Sequence, residues 1–400
     1  MFFGAAILLL FGLVVTLPAA AQDISPSFRE LSDSIGAASG FPRLEGNAFE
    51  LETTGPEFID ALLEDLRGAG SSIEMELFIF RNDKVGCCIR DLLIRKAREG
   101  VAVRVLLDNI LSVICPYAFL EELERAGGEV LYFVDNGEPL PEFLREVFHR
   151  DHRKIIVIDG RVAYVGGMNP YDKVIGWGDA HLRLEGPVVA SAREMFRQMW
   201  EERGGSALQD HPLPQPAGSA VAQMIPGVPD SRRNPVSPYQ VFLGEVVRRA
   251  QSYVYIQTPY IWMPDWLLAL LAEAVGRGVD VRIITPATSD YTLSTHLNFA
   301  AQTEILAAGV RLFEYTDFFS HAKTFVADDA VACVGSLNLN SRSFVYDYEC
   351  GVLFYDAASI AACKAPLDGM MDRYPELTQY NPNLFMRRWL SFLSIFHRIL

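Results

Sequence analysis

The chain reads as an α/β protein built from two homologous halves, packed about a pseudo-two-fold axis around one shared active site. Strand-like and helix-like segments alternate, as they do in α/β units. Their order recurs about 180 residues later. One motif, H-x-K-x4-D-x6-G-[GS]-x-N, occurs twice with identical gaps, at 152–169 and 321–338.

The elements follow in order. Residues 71–80 read as a buried strand, 86–99 as a helix and 100–108 as a second strand. In the second half, 253–258 is strand-like, 267–277 helical and 278–284 again a strand. Strands joined by helical crossovers predict a largely parallel sheet. Helices near 116–126 and 292–308 lead to further strands at 127–130 and 309–312. Between the halves, 204–238 is rich in Pro, Gly and Ser, and reads as linker with one strand at 220–224. The expected organisation is a hydrophobic segment at 1–21, a first half at 45–203, the linker, a second half at 239–386, and an amphipathic helix at 387–400.

Composition narrows the function. The chain has 400 residues, half of them apolar and 21% charged, which excludes wholesale disorder. Its net charge of −15 argues against a protein that grips nucleic-acid phosphates non-specifically. Six cysteines in this length are not a disulfide scaffold, and none has zinc-site spacing. Cys87 and Cys88 read as helix residues; Cys115, Cys333, Cys350 and Cys363 read as small buried ones.

Both ends point to a membrane. Residues 2–21 carry no charge and are long enough to cross a hydrocarbon core of about 30 Å. They fit either an uncleaved anchor or a signal peptide cut after the small run Ala19-Ala20-Ala21. At the other end, Arg387, Ser391, Ser394 and Arg398 share one helical face, with Trp389, Phe392, Leu393, Phe396 and Leu400 opposite. That pattern fits a helix packed on the core or one lying in a membrane interface.

The repeated motif carries the chemistry. On a strand, a His and a Lys two apart point to the same face. The strand ends at Asp159 in one copy and Asp328 in the other, and a second strand runs into Gly-[Gly/Ser]-x-Asn. Asp159 and Asp328 belong to the catalytic motif by position, but as strand-ending residues they read as turn and scaffold. If the halves converge, His152, Lys154, His321 and Lys323 meet Asn169 and Asn338, with Gly167 and Ser336 beside them. The lysines neutralise phosphate charge, the asparagines donate hydrogen bonds to its oxygens, and the close-approach positions 167 and 336 complete the cradle. One histidine attacks phosphorus and the other protonates the leaving alcohol. No metal or other cofactor is needed, because the lysines stabilise the developing charge. The HxxH at His149 and His152 is a weak metal signal, set aside because His152 is already committed.

This paired pattern resembles the phospholipase D superfamily, which acts through a covalent phosphohistidine. The resemblance runs from about Asn47 to the C-terminus and is strongest to bacterial cardiolipin synthases. It rests on the two motifs, and on Phe78-Ile79-Phe80 with Asp83 and Gly86. Further support comes from residues 104–108, 179–188, 257–260 and 278–282, and from Gly335-Ser336-Leu337-Asn338 through Arg342-Ser343. It implies that His152 is the nucleophile and His321 the general acid. It also implies an orienting acid downstream of each histidine: Asp179 lies 27 residues after His152, and Glu349 lies 28 after His321. Two positions depart from the family pattern: Asn340 stands where an Asp is usual, and Asp347 where an Asn is common.

The implied reaction is transfer of a phosphatidyl group from phosphatidylglycerol to histidine with release of glycerol, then to a second lipid hydroxyl, giving cardiolipin. Hydrolysis by water is the alternative; a nuclease on the same scaffold fits the acidic charge less well. The implied partners are a phospholipid substrate and the membrane, with no nucleic acid. The implied location is the bacterial inner membrane, through a single anchor or peripherally, or the periplasm if 1–21 is removed. His149-Arg150-Asp151-His152-Arg153-Lys154 is a local basic stretch suited to anionic headgroups. His181, His296 and His397 read as packed or solvated, and Tyr260, Trp262 and Trp266 as core or the lip of a lipid cleft.

Overall fold

A computed structural model describes residues 26–108, 117–133, 149–229 and 237–379. The segment at 1–21, Cys115 and the helix expected at 387–400 lie outside the described residues.

The first half contributes β1 (Leu44–Thr54), β2 (Ser72–Leu77), β3 (Ala102–Leu107), β4 (Glu129–Tyr132), β5 (Arg150–Asp151), β6 (Ile155–Ile158), β7 (Val162–Gly166) and β8 (Gly178–Glu185). The second contributes β9 (Ala220–Gly227), β10 (Tyr253–Gln257), β11 (Asp280–Pro286), β12 (Arg311–Tyr315), β13 (Thr324–Ala327), β14 (Val331–Gly335), β15 (Asp347–Phe354) and β16 (Glu376–Leu377). The order β1-β8-β7-β6-β2-β3-β4 in one half matches β9-β15-β14-β13-β10-β11-β12 in the other. The matching strands have the same relative directions, so the duplication read in sequence is a duplication of fold. The halves meet where β1 pairs antiparallel with β9, which makes one continuous sheet.

Two expectations need correcting. The sheet is mixed rather than largely parallel. Among the described strands, parallel ladders are β2–β3–β4, β10–β11–β12 and the short β5–β15 pair, with one isolated parallel bridge at Gly178–Ser320. Helical crossovers supply the first two, while tight hairpins within the motifs force antiparallel pairing at β6–β7 and β13–β14. The span 204–238 is also more than a linker. Its strand extends to Gly227, pairs with β15 as well as β1, and forms the seam of the molecule.

Helices cover both faces. α1 (Pro26–Ser39), α2 (Gly55–Gly68), α3 (Lys84–Arg98) and α4 (Glu121–Arg125) precede the first motif. α5 (Val188–Glu202) follows β8. α6 (Pro238–Arg249), α7 (Asp265–Gly276), α8 (Thr292–Ala307), α9 (Ser341–Val345) and α10 (Ala357–Arg373) complete the second half. α5 and α10 occupy equivalent places, and their apolar faces enter one core that crosses the seam. That core includes Val165, Phe196 and Trp200 from the first half and Met224, Val334 and Phe354 from the second. α2 and α3 cover the other face of the first half; α1, α6, α7 and α8 cover that of the second.

Asp159 and Asp328 are scaffold residues, as their strand-ending positions implied. Each starts a tight turn with positive φ, 54° and 53°. Asp tolerates this region because its short side chain hydrogen-bonds locally. Asp159 accepts the main-chain N–H groups of Gly70, Ser71 and Ser72 at 2.7–2.9 Å, which fixes the start of β2. Asp328 does the same for Gln251, Ser252 and Tyr253 at the start of β10. Neither lines the cleft described below, and the carboxylate of each is taken up by main-chain amides. Burial opposes ionisation of Asp159, but the three amide donors outweigh it and hold its carboxyl below the ordinary range. The resulting stability is present above the unfolded pKa of about 3.9 and is lost as pH falls through the lower folded value. Asp159→Ala should lower unfolding stability by about 2 kcal/mol, because several donors lose their acceptor together. Denaturant midpoints test this, and an unchanged midpoint would contradict the role.

Candidate active site

The two motif strands place both histidines in one cleft of about 260 Å³, lined from both halves. The first half supplies Phe78, His152, Gly167, Asn169, Tyr171, Trp177 and Asp179; the second supplies Tyr260, Trp262, His321, Asn338, Asn340 and Asp347.

Each histidine is held by the opposite half. The main-chain N–H of His152 donates to Tyr348 O at 2.9 Å, extending the β5–β15 ladder. The equivalent N–H of His321 donates to Gly178 O at 2.8 Å. The side chains cross in the same way. His152 Nδ1 lies 2.9 and 3.0 Å from the two Glu349 oxygens, and His321 Nδ1 lies 3.2 Å from Asp179 Oδ2. The offsets of 27 and 28 residues matched each histidine with the acid of its own half; the fold exchanges them. β8 and β15 flank the seam, so each presents its acid to the other half's motif.

The carboxylates determine the tautomers. Burial works against the Glu349 charge, but His152, Lys154 and Ser336 outweigh it and lower its pKa. Burial likewise opposes Asp179, and Lys323 and His321 prevail. Two ionised acceptors require Nδ1 to carry the ring proton, which leaves Nε2 as the basic atom of each imidazole. Burial lowers the His152 pKa to about 4, with Glu349 opposing, so its ring is neutral at pH 7. Burial, with Lys323, also lowers that of His321.

Both lysines are buried, and among the described residues neither is paired with a carboxylate. Lys154 donates to the main-chain oxygen of His152 and lies 4.8 Å from the Phe78 ring centre. Lys323 donates to the His321 oxygen and also approaches His321 Nδ1 at 2.7 Å. With the Nδ1 proton turned to Asp179, the carbonyl is the acceptor left for that ammonium. Burial lowers the Lys154 pKa to about 8 and the Lys323 pKa to about 7. Neither lysine is among the residues lining the cleft; each ammonium is bonded to the main-chain oxygen of its own motif histidine, and from there adds positive potential that favours an anion beside the rings.

Gly167 lines the cleft and Ser336 does not, and each also stands against an orienting acid. A Cβ at Gly167 would sit 2.2 Å from Asp179 Oδ1, so glycine is what lets that acid approach. Ser336 Oγ donates to Glu349 Oε2 and does not line the cleft. Ser343 Oγ donates to the other Glu349 oxygen at 2.7 Å. The [GS] position therefore holds the orienting acid in both halves. Asn169 Oδ1 accepts from Ile79 N–H at 2.9 Å, which leaves its NH2 group for the cleft. Asn338 lines the cleft, and its buried Oδ1 has no hydrogen-bond partner among the described residues.

Behind His152, Arg150 is paired with Asp108, and Arg153 with Asp151 and Glu76. These buried pairs fasten the motif segment in place, so its basic stretch is an internal brace rather than an exposed headgroup patch. His181 is also internal. Burial lowers its pKa to about 3, and its Nδ1 accepts Met168 N–H at 3.1 Å, bracing the loop that carries Asn169. Tyr260 and Trp262 line the cleft, whereas Trp266 packs on Phe344. The cleft residues Tyr171, Trp177, Asp290 and Tyr291 carried no motif signal in the sequence.

These features make one histidine–carboxylate centre from two halves. The chain matches the family model described as "Cardiolipin synthase, PLD-like domain" at residues 62–200 and 243–371. It is 33% identical over 360 residues to a cardiolipin synthase of Alkalihalophilus pseudofirmus, covering 87% of this chain and 69% of that one. It is 33% identical over 325 residues to the major cardiolipin synthase of Bacillus subtilis, covering 78% and 66%. The chain thus spans about two thirds of the length of these relatives. The fold matches a crystal structure of phosphatidylserine synthase from Haemophilus influenzae, with a TM-score of 0.67 at 16% identity, over 92% of this chain and 98% of that one. The chain belongs to the cardiolipin synthase family of PLD-like proteins, within the phospholipase D superfamily.

The site's charge is testable without a lipid. Sulfate keeps its charge across neutral pH, so its binding reports the lysines. Affinity measured by calorimetry should fall as pH rises through 7 to 8, where Lys323 and then Lys154 lose their protons. Equal affinity at pH 6 and pH 9 would contradict the assignment.

Proposed function

We propose that this protein is a phosphatidyltransferase that makes cardiolipin from phosphatidylglycerol through a covalent phosphohistidine. The observation that carries the proposal is the pair of crossed histidine–carboxylate contacts, with both histidines lining one cleft and a buried lysine bonded to the main-chain oxygen of each. In this reading His152 Nε2 attacks phosphorus, the bond from phosphorus to the glycerol oxygen breaks, and His321 gives that oxygen its proton. A phosphodiester anion in the cleft favours the protonated His321 this step needs. The hydroxyl of a second phosphatidylglycerol then transfers its proton to His321 and attacks phosphorus. The phosphorus–nitrogen bond breaks, His152 is restored and cardiolipin leaves. Lys154 and Lys323, with the NH2 groups of Asn169 and Asn338, offset charge on the equatorial oxygens.

The cleft wall supports a lipid substrate over a free phosphate ester. Phe78, Tyr171, Val174, Trp177, Trp262 and Leu297 make it largely apolar. Tyr291 and Leu293 line the cleft yet are 51% and 47% exposed. Ile175, next to the lining residue Val174, is 46% exposed. Apolar groups exposed around a cleft favour contact with a bilayer. Among the described residues no helix is long and apolar enough to cross a membrane. In this proposal the described residues meet the membrane through this rim.

Phosphatidylglycerol vesicles with purified protein should yield cardiolipin and glycerol in equal amounts by mass spectrometry. His152→Ala and His321→Ala should each lower the rate at least about 100-fold. Phosphatidic acid in place of cardiolipin would make water the acceptor and the protein a hydrolase. Retained turnover in either variant would overturn the two-histidine mechanism.

A further inference from the structure

The two halves repeat each other in the reaction centre but not in the walls beside it. Two residues after the motif asparagine stands Tyr171 in the first half and Asn340 in the second. Two residues before the orienting acid stands Trp177 in the first half and Asp347 in the second. All four line the cleft. One arm is therefore aromatic, with the Tyr171 and Trp177 rings 6.2 Å apart and Trp177 6.0 Å from the His321 ring. The other arm is polar. On β15, Asp347 and Glu349 share a face because side chains alternate along a strand. Asp347 thus lies on the same side of β15 as the acid that holds His152.

Among the described residues Asp347 makes one ion pair, and its buried Oδ1 accepts no hydrogen bond. It is 5% exposed. Its Oδ1 lies 3.0 Å from Arg342 in an ion pair whose angle makes no hydrogen bond, and Arg342 is one-third exposed. Burial pushes the Asp347 pKa well up, with Arg342 opposing. A carboxyl group in a cleft built for an anion repels the phosphate oxygens when ionised. It suits a part of the substrate that carries hydrogen-bond donors. Asn340 spends its Oδ1 on Ser343 N–H at 2.9 Å, capping α9, which leaves its NH2 group to offer the cleft.

We propose that Asp347, with Asn340 beside it, is a hydroxyl-recognition subsite that selects a polyol alcohol on the phosphodiester, while the Tyr171–Trp177 arm receives the diacylglycerol side. The vicinal hydroxyls of glycerol donate to the carboxyl oxygens, and the Asn340 amide donates to a hydroxyl oxygen. The same arm accepts the hydroxyl-bearing headgroup of the incoming lipid in the second step. The inference rests on the phosphatidyl-transfer reading.

A competition between two donors tests it. Vesicles holding equal amounts of phosphatidylglycerol and phosphatidylmethanol are treated with wild-type protein, Asp347→Ala and the near-isosteric Asp347→Asn. The ratio of glycerol to methanol released compares kcat/KM for headgroups with and without free hydroxyls. Wild type should favour glycerol by roughly 5- to 100-fold, the range for two hydrogen bonds that methanol cannot make. The ratio should approach one in Asp347→Ala and fall partway in Asp347→Asn. Equal losses for both donors would make Asp347 structural and overturn the proposal, as would a wild type without preference. Release of neither alcohol by wild type would instead defeat the phosphatidyl-transfer reading itself. Should Asp347→Ala fail to fold, the Asp347→Asn ratio still decides.

Discussion

The exchange of hydrogen bonds between the halves is the constraint on which this active site depends. Two main-chain bonds, His152 to Tyr348 and His321 to Gly178, fasten each motif to the strand of its counterpart. Each brings the carboxylate one residue further on to the imidazole. Neither half alone contains a histidine with its orienting acid. The β1–β9 seam and the shared core under α5 and α10 keep the two in register. A buried carboxylate without its imidazole donor would carry an uncompensated charge, so separating the halves has an electrostatic cost as well as a packing cost.

Charge is arranged against the overall balance. The protein carries −15, yet two buried lysines are bonded to the motif histidines that line its cleft. Much of the acidic surplus lies on the surface or is tied up in internal pairs, such as Asp108 with Arg150 and Glu74 with Arg193. The low-dielectric walls that depress the lysine pKa values also strengthen their attraction for a bound anion.

Much of this was legible in the sequence because duplication is a strong signal. Identical gaps in two copies identified His152, Lys154, Asn169, His321, Lys323 and Asn338, and the recurring strand–helix order anticipated the paired halves. The crossed acids were not legible. Sequence distance placed Asp179 with His152 and Glu349 with His321, and only the seam between β8 and β15 shows that the nearer acid in sequence serves the other ring. The mixed character of the sheet was hidden because a continuous apolar run looks the same in parallel and antiparallel strands. β9 was partly concealed by the Pro and Gly around it. Gly167 and Ser336 looked like phosphate-cradle residues, but their small size serves the approach of Asp179 and the anchoring of Glu349. Tyr171, Trp177 and Asp290 sit in no motif, since they shape the cleft rather than perform its chemistry.

The most direct test of the crossed pairing is NMR of the ring nitrogens in protein labelled at histidine. Spectra of Glu349→Gln and Asp179→Asn would be compared with wild type. The account predicts that Glu349→Gln shifts the His152 tautomer and titration and leaves His321 near its native position, with Asp179→Asn doing the reverse. A response of His152 to Asp179→Asn, with none to Glu349→Gln, would contradict it and return each histidine to the acid of its own half.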